Sequence, residues 1–460
     1  MKRAVIDKLA EIVGSDFVVS AKDNVAGYLY DETEPHIRPQ ANEDCVVVKP
    51  ADSNEISEIM KLANSELVTV VPRGGGTGLC GGAIPIKPSI ILSMERFKKI
   101  IEVDEKNFVI TLEAGVTLGE MNEYLNKNNT LFFPCHPGDE NAQVGGLVVE
   151  NAGGARALKH GIMRNHVKGI EMVLPTGEIV EFGGKLVKNN AGYDIMHLII
   201  GSEGTLGIVT KVILRLYPES TFTGTLLVSF DECDDATEAV SNVLRAGIVP
   251  LSIEYLDRTI ALHSAEHLNE KWPFSKGNMD LLFILSEDDE DRLYDISEKI
   301  GEICTASGAL EILMADSKKD EARILSIRSN TYTATKHMLA DSLDIAVPPA
   351  YIPELMRNFR NIAEKYGAVI DTVGHIGDGN VHNNIYLVDG KMPSYYEEMK
   401  EDLYKMAIKM GGTITGEHGI GKTRRKNIPL EFNETQINLM RNIKKVFDPN
   451  NILNPETGIY

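Results

Sequence analysis

Two short segments near the end of the chain carry the residues best suited to chemistry. Gly374–His382 reads Gly-His-Ile-Gly-Asp-Gly-Asn-Val-His, and Gly416–Gly421 reads Gly-Glu-His-Gly-Ile-Gly. Two imidazoles and a carboxylate are ligands that a divalent transition metal prefers when it keeps an open position for substrate. His418 directly follows Glu417 and could act beside the metal as an acid or base. The pattern predicts a metal site, and the alternative is a hairpin and a loop that carry histidines for structural reasons.

The elements that must position these residues belong to an α+β chain. From about 42 to 217, strands rich in Val and Ile alternate with helices and glycine-rich loops. The pattern changes near 218, where a strand–helix–strand rhythm occurs twice and predicts an antiparallel sheet backed by helices. A helix that carries Arg328 follows, then strand–helix–strand through the two histidines, and a helical tail over about 433–447.

Local signals define several individual elements. Thr117-Leu-Gly-Glu120 predicts a capping box that opens a helix. Glu171–Leu174 and Glu178–Phe182, joined by Pro-Thr-Gly, predict a hairpin. A strand is predicted from Gly204 to Leu216.

Composition limits the function classes. With 460 residues the chain should form two or three domains. A formal net charge of −20 argues against nucleic acid or an anionic membrane as the main partner. The absence of a long apolar run predicts no integral membrane segment, and the five scattered cysteines predict a reduced, cytoplasmic protein without an iron–sulfur cluster of its own.

A glycine-rich loop after a strand is the strongest feature of the first half. Gly76, Gly78 and Gly81 satisfy the dinucleotide-binding spacing G-x-G-x-x-G, but Pro85 and Pro88 follow, so no helix can start where that motif requires one. Successive glycine N–H groups can still hold a phosphate. The alternative is a glycine-rich turn between strands.

Further runs of small residues indicate a large ligand. They let the backbone lie flat against a planar group. Together with the first loop they spread over about 130 residues, which suggests an extended cofactor lying across a domain. The runs are Pro137–Asp139, Gln143–Gly146, Glu150–Gly154, Lys159–Gly161 and Gly201–Gly207.

These segments, in this order, resemble the FAD-linked 2-hydroxy acid dehydrogenases, which are flavoproteins of the vanillyl-alcohol oxidase type. The family includes D-lactate dehydrogenase, the glycolate oxidase catalytic subunit and D-2-hydroxyglutarate dehydrogenase. The resemblance covers roughly 40 to 460. The matching motifs are Pro72–Gly78 for the pyrophosphate, Gly145–Gly154 and Gly201–Val209 for the isoalloxazine and ribityl groups, and Gly374–His382 and Gly416–Gly421 for the active site.

The resemblance implies a two-subdomain, non-Rossmann FAD-binding domain at 42–217, preceded by a helix and arm at 1–41. An α+β ferredoxin-like cap with the metal site would occupy 218–420. A helical tail at 421–460 would pack back on the FAD-binding domain, although its Asn454-Pro-Glu-Thr457 departs from the family's usual Asn-Pro-Gly-Lys.

The resemblance also implies roles for individual residues. His375, His382 and Glu417 would bind zinc, iron(II) or manganese. His418 would be the catalytic base, and Arg328 and Asn384 would meet the substrate. FAD would be held without a covalent bond, because 72–83 contains no histidine. The residues implied for FAD are Pro72, Arg73, Gly74, Gly75, Gly76, Thr77, Gly78, Pro137, Gly138, Asp139, Gly145, Gly146, Asn151, Gly154, Gly161, Glu203, Gly204, Ile208 and Asn454.

The implied reaction is oxidation of a small 2-hydroxy acid to the 2-oxo acid, with hydride transfer to flavin N5 assisted by the metal and His418. Ser342 stands near the place where relatives acting on larger diacids carry a lysine, which favours a small monocarboxylic acid such as lactate or glycolate over a dicarboxylate. Lactate, in the D form, is the expected substrate. Glycolate and D-2-hydroxyglutarate are the alternatives. An FAD-dependent transferase of the same fold and a metallohydrolase are alternatives of other classes.

The electrons would pass to a partner protein. The chain looks similar to the lactate dehydrogenase subunits of anaerobes that work with an electron-transfer flavoprotein. In some of these complexes electrons are bifurcated between NAD and ferredoxin.

Overall fold

The computed structural model describes residues 1–128, 131–315 and 317–459. Its strands are β1 (Val18–Val19), β2 (Val46–Val48), β3 (Thr69–Arg73), β4 (Ser89–Ser93), β5 (Ile100–Asp104), β6 (Val109–Glu113), β7 (Leu131–Phe132), β8 (Val167–Val173), β9 (Ile179–Gly183), β10 (Ile208–Arg215), β11 (Tyr217–Pro218), β12 (Phe222–Phe230), β13 (Ser252–Asp257), β14 (Met279–Glu287), β15 (Glu311–Met314), β16 (Leu339–Ala346), β17 (Ile370–His375) and β18 (Asn380–Tyr386). Its α-helices are α1 (Arg3–Val13), α2 (Lys22–Val25), α3 (Ser53–Glu66), α4 (Leu118–Asn128), α5 (Val144–Glu150), α6 (Ala157–His160), α7 (Met163–His166), α8 (Met196–Ile199), α9 (Cys233–Arg245), α10 (Arg258–His267), α11 (Glu290–Ala306), α12 (Lys318–Ser329), α13 (Thr331–Thr335), α14 (Ile352–Tyr366), α15 (Tyr396–Lys409), α16 (Ile428–Glu431) and α17 (Glu434–Phe447).

Two sheets form the first part of the chain. The smaller has the order β1-β2-β4-β3, and β2, β4 and β3 run parallel. Its crossover helix α3 begins at Asp52, whose carboxylate accepts hydrogen bonds from the backbone N–H groups of Asn54 and Glu55. The larger sheet is antiparallel in the order β5-β6-β10-β8-β9. Both sheets contribute to one hydrophobic core.

Several expectations about this part are confirmed. The capping box forms, since Thr117 N donates to Glu120 Oε2 at 2.9 Å and Glu120 N donates to Thr117 Oγ1 at 3.1 Å. The predicted hairpin is the β8–β9 pair. Residues 74–88, all of which the structure describes, form no helix, which agrees with the rejection of a Rossmann motif.

The strand expected from Gly204 begins later, at Ile208. Glu203 and Gly204 have φ angles of 53° and 64°, in the left-handed region, outside the φ range of regular extended strands. The segment before Ile208 is therefore a loop. Strand β10 then lies in the centre of the larger sheet, between β6 and β8.

The second part is built on a seven-stranded antiparallel sheet in the order β15-β12-β14-β13-β17-β18-β16. One face is covered by α9, α11, α14 and α15 and forms a second core. The opposite face is partly covered by α10 and α12. Strand alternation and register place several polar residues together on that face, among them Glu254, Ser342, Asp344, His375, His382 and Asn384.

The C-terminal segment returns to the first part. Asn433 and Gln436 form a capping box that starts α17. Beyond this helix, Ile452 O accepts a hydrogen bond from Val70 N at 2.8 Å, and Leu453 pairs with Val70 as a parallel bridge beside β3. The domain boundaries given above stay predictions.

Candidate active site

The hairpin β17–β18 brings the two histidines to one face. His375 ends β17, and His382 lies opposite Val373 in the antiparallel register, so both imidazoles project from the same side of the sheet. Their ring centroids are 5.6 Å apart and their planes are perpendicular.

Glu417 completes a compact set of ligand atoms. Its Oε1 lies 3.4 Å from His375 Nε2 and 3.3 Å from His382 Nε2. Two ligand atoms that each lie about 2.05 Å from a tetrahedral zinc are about 3.4 Å apart. The donor set therefore fits a divalent metal, and three protein ligands leave a position for substrate.

A buried carboxylate fixes the orientation of His375. Both oxygens of Glu254 lie 2.9 Å from His375 Nδ1. Despite burial of the ring, Glu254 and Glu417 raise the pKa of His375 well above its ordinary value, and a metal bound at Nε2 would displace the proton there while Glu254 holds the other proton on Nδ1. Burial alone would raise the pKa of Glu254, but His375 and Arg328 hold that pKa at about 2. The sequence reasoning did not identify Glu254.

Arg328 was expected to face the substrate carboxylate. Its Nε donates to Glu254 Oε2 at 2.8 Å, and its Nη2 lies 2.5 Å from the same oxygen. The guanidinium is therefore engaged with Glu254, and any contact with substrate would come from its remaining N–H groups.

Asp344 holds the Glu417–His418 segment. Its Oδ2 accepts hydrogen bonds from Glu417 N at 2.8 Å, His418 N at 2.7 Å and Thr415 Oγ1 at 2.8 Å, and its Oδ1 accepts one from Asn380 Nδ2. Asp344, His382 and His418 could by composition form a second metal group. Because N–H and O–H donors already surround its oxygens, Asp344 anchors the loop instead.

His418 lies directly beside the ligand set. Its ring stacks on His382 with a centroid distance of 4.9 Å and an interplanar angle of 2°. Burial lowers the pKa of His418, although Asp344 opposes this effect. The imidazole is therefore neutral at neutral pH and able to accept a proton.

Asn384 is buried two residues beyond His382 on the same strand face. Its Oδ1 accepts a hydrogen bond from Ser342 Oγ at 2.9 Å. This side chain and Ser342 form the part of the face next to the histidines.

A large cavity joins this site to the glycine-rich loops. It encloses about 1410 Å³ of empty space, part of it open to solvent, and Glu417 and His418 line it. The lining also includes these expected FAD residues: Pro72, Arg73, Gly74, Gly75, Gly76, Thr77, Gly78, Pro137, Asp139, Gly145, Gly146, Glu203, Gly204, Ile208 and Asn454.

Four residues expected at FAD do not line the cavity: Gly138, Asn151, Gly154 and Gly161. Asn151 ends α5 with a φ of 55°, and its Oδ1 accepts a hydrogen bond from Arg164 N. A Cβ on Gly154 would lie 2.1 Å from His136 O. These residues shape the loops behind the cavity.

Buried charges near the cavity were also missed by the sequence reasoning. Glu150 lines the cavity, and burial together with Glu203 raises its pKa. Lys422 Nζ donates to Gly82 O at 2.9 Å and to Thr457 Oγ1 at 2.7 Å, and burial lowers its pKa to about 8. Lys422 thus ties the glycine loop to the tail, at the position where the tail departs from the family pattern.

The chain matches two protein-family models and several known proteins. Residues 220–457 match the family model "FAD linked oxidases, C-terminal domain", and residues 45–183 match the model "FAD binding domain". The chain is 41% identical to a D-lactate dehydrogenase of Archaeoglobus fulgidus over 450 residues, which cover 98% of each protein. It is 33% identical to the glycolate oxidase subunit GlcD of Bacillus subtilis, over 98% of this chain and 96% of that protein.

Solved structures share the fold. A 4-ethylphenol oxidase from Gulosibacter chungangensis superposes with a TM-score of 0.78 at 17% identity, over 99% of this chain and 97% of that one. An alkyldihydroxyacetonephosphate synthase gives a TM-score of 0.74 at 18% identity, over 99% and 86%. The expected α+β fold of the vanillyl-alcohol oxidase type is confirmed. Within the ranges that the structure describes, no helix is long and apolar enough to cross a bilayer.

Proposed function

The chain belongs to the FAD-linked oxidase family and is an FAD-dependent oxidoreductase, and on this premise we propose that it oxidises D-lactate to the 2-oxo acid. One observation carries the proposal: Glu417 and His418 line the same cavity as the glycine loop expected to hold the FAD pyrophosphate. An acid–base group and one proposed metal ligand therefore face the space available to the cofactor.

The metal would be held by His375, His382 and Glu417. A divalent ion there would lower the pKa of the substrate hydroxyl and fix its orientation. Glu254 keeps His375 in the tautomer that this role requires, and Asp344 holds the backbone of Glu417 in place.

His418 takes the hydroxyl proton in this proposal. Its Nδ1 is buried without a hydrogen-bond partner among the described residues and lies 4.0 Å from Asp344 Oδ2, so a ring nitrogen of the neutral imidazole is available to accept the proton. FAD supplies the hydride acceptor for the carbon-bound hydrogen.

The substrate carboxylate would be met by the remaining N–H groups of Arg328, while Asn384 contacts the hydroxy acid from the strand face. The residues expected at FAD that line the large cavity keep that proposed role. Ser342 offers no charge to a second carboxylate, which supports a monocarboxylic acid. The relative named D-lactate dehydrogenase at 41% identity, against 33% for the glycolate oxidase subunit GlcD, supports lactate over glycolate.

We propose that an electron-transfer flavoprotein receives the electrons. In the more complex version of this proposal, the resulting assembly bifurcates the electrons between NAD and ferredoxin. The support is the resemblance to the subunits of anaerobes and the cysteine pattern of this chain. Its five cysteines are buried and free, and their spacing provides no ligand set for an iron–sulfur cluster.

An anaerobic spectrum tests the proposal. The FAD-loaded protein is mixed in separate samples with D-lactate, L-lactate, glycolate and D-2-hydroxyglutarate, and the visible band of oxidised flavin is followed. Fast bleaching by D-lactate is the expected result. If another of these acids bleaches the flavin faster, that acid replaces D-lactate as the proposed substrate. A flavin that none of them bleaches after metal addition would favour a transferase. Protein that binds no flavin would favour a metallohydrolase.

A further inference from the structure

A second cleft lies beside strand β16, separate from the cavity just described. It encloses about 690 Å³ of empty space, part of it open to solvent, between the N-terminal arm, helix α15 and the segment after Gly421. We name it the α15 cleft. Its lining residues are His36, Ile37, Asp341, Met392, Pro393, Ser394, Tyr396, Glu397, Lys400, Thr423, Arg424 and Lys426.

The lining of the α15 cleft is cationic on balance in an acidic protein. Lys400, Arg424 and Lys426 carry three positive charges, against two negative charges on Asp341 and Glu397, which leaves 3 − 2 = +1 with His36 neutral. The residues Lys400 and Arg424 are only 4% and 3% exposed. Cations so deeply buried in a cleft wall attract an anion much more strongly than surface lysines do.

The anions of the lining are already engaged. Glu397 Oε2 lies 3.3 Å from Lys400 Nζ and 2.6 Å from Lys426 Nζ. Asp341 Oδ2 accepts a hydrogen bond from the Tyr396 hydroxyl at 2.6 Å. Lys400 Nζ also donates a hydrogen bond to the Tyr396 hydroxyl at 2.9 Å, so the two carboxylates offset part, but not all, of the positive charge of the three cations.

Two buried donors in the lining lack a partner. Neither Arg424 Nε nor Thr423 Oγ1 has a hydrogen-bond partner within the described part of the chain. The two terminal nitrogens of Arg424 are used, since Nη1 donates to Cys80 Sγ and Nη2 donates to Ser342 O at 3.0 Å. A buried donor without an acceptor destabilises the protein, so an acceptor entering the cleft would be favoured.

We propose that the α15 cleft binds a small oxyanion, a carboxylate or a phosphate. Its oxygen atoms would approach Lys400 and Lys426 and accept hydrogen bonds from the unpaired donors of Thr423 and Arg424. Arg424 also contacts Cys80, which lines the FAD cavity, so one side chain joins the two cavities.

Isothermal titration calorimetry on the FAD-loaded protein tests the proposal, at constant ionic strength. Inorganic phosphate and acetate are titrated separately, and the anion that binds identifies the source of the oxyanion. One site per chain is expected. In Lys400→Gln the affinity should fall at least about tenfold, because a charge-assisted hydrogen bond is lost, while Lys400→Arg should retain most of it.

Lys409→Gln is the matched control, because this exposed lysine of α15 does not line the cleft. Its affinity should equal that of the wild type. If Lys400→Gln does not fold, as judged by circular dichroism, Lys426→Gln is used and should weaken binding about threefold to tenfold. Absence of binding to the wild type, or equal affinity in the cleft variant and Lys409→Gln, would overturn the proposal. The titration does not use enzymatic turnover, so its result is independent of the proposed function.

Discussion

Glu254 on β13 lies 2.9 Å from Nδ1 of His375 on the adjacent strand β17, and the same carboxylate holds the Arg328 guanidinium. A single buried anion therefore orients a proposed metal ligand and a proposed substrate residue together. Because Glu254 is fully buried, its charge is tolerated only while both partners are present.

Replacing Glu254 by Gln should weaken metal binding about 10- to 100-fold, since the partner that orients His375 becomes neutral. Titration with zinc against a chromophoric chelator gives the affinity. Glu298→Gln, on the exposed face of α11, is the control and should bind metal like the wild type. Unchanged affinity in a folded Glu254→Gln protein would argue against an orienting role.

Replacing His418 by Gln should slow anaerobic flavin reduction by D-lactate about 10²- to 10⁴-fold, the usual contribution of a general base. Stopped-flow absorbance measures this rate. The FAD content should not change, which separates loss of chemistry from loss of cofactor. A rate within a factor of three of the wild type would remove His418 from the mechanism.

The rate of flavin reduction should depend on pH through His418. Burial lowers its pKa below the ordinary value of 6.5, so the neutral, proton-accepting form is present at and above neutral pH. The rate should therefore be nearly constant from pH 7 upward and fall as the pH decreases through that lowered pKa. A rate that rises on acidification would contradict the assignment.

Replacing Gly76 by Ala should lower FAD affinity at least about tenfold, because the residue has a φ of 75° and a Cβ would lie 2.2 Å from Arg73 Nη2. Fluorescence of released FAD on dilution measures the affinity. Gly27→Ala provides the control, since no atom lies within 4 Å of the added Cβ. If both variants retain FAD equally, the loop around Gly76 does not bind the pyrophosphate.

Replacing Lys444 by Met should lower the free energy of unfolding by about 3–5 kcal/mol, because it leaves the buried Asp448 carboxylate without its ion pair. Lys444 Nζ also donates to Thr205 O at 2.7 Å and so fastens the C-terminal segment to the first part of the chain. Urea denaturation measures the free energy of unfolding of Lys444→Met and of the control Lys445→Met. Lys445 is exposed, so little change is expected in the control.

The sequence by itself determined the local features of this protein. The capping box at Thr117 and the β8–β9 hairpin depend on residues a few positions apart, so periodicity and turn chemistry predict them. The motif order also identified the family.

Only the tertiary structure decided which buried charges meet. Glu254 and His375 are 121 positions apart, and Asp344 reaches Glu417 from 73 positions away. Their contact depends on the order and register of strands that are not neighbours in sequence, and a shift by one residue would turn these side chains to the other face. Sequence patterns show which residues of one strand share a face. The contact between Arg328 and Glu254 instead depends on how distant strands and helices pack together in the folded chain.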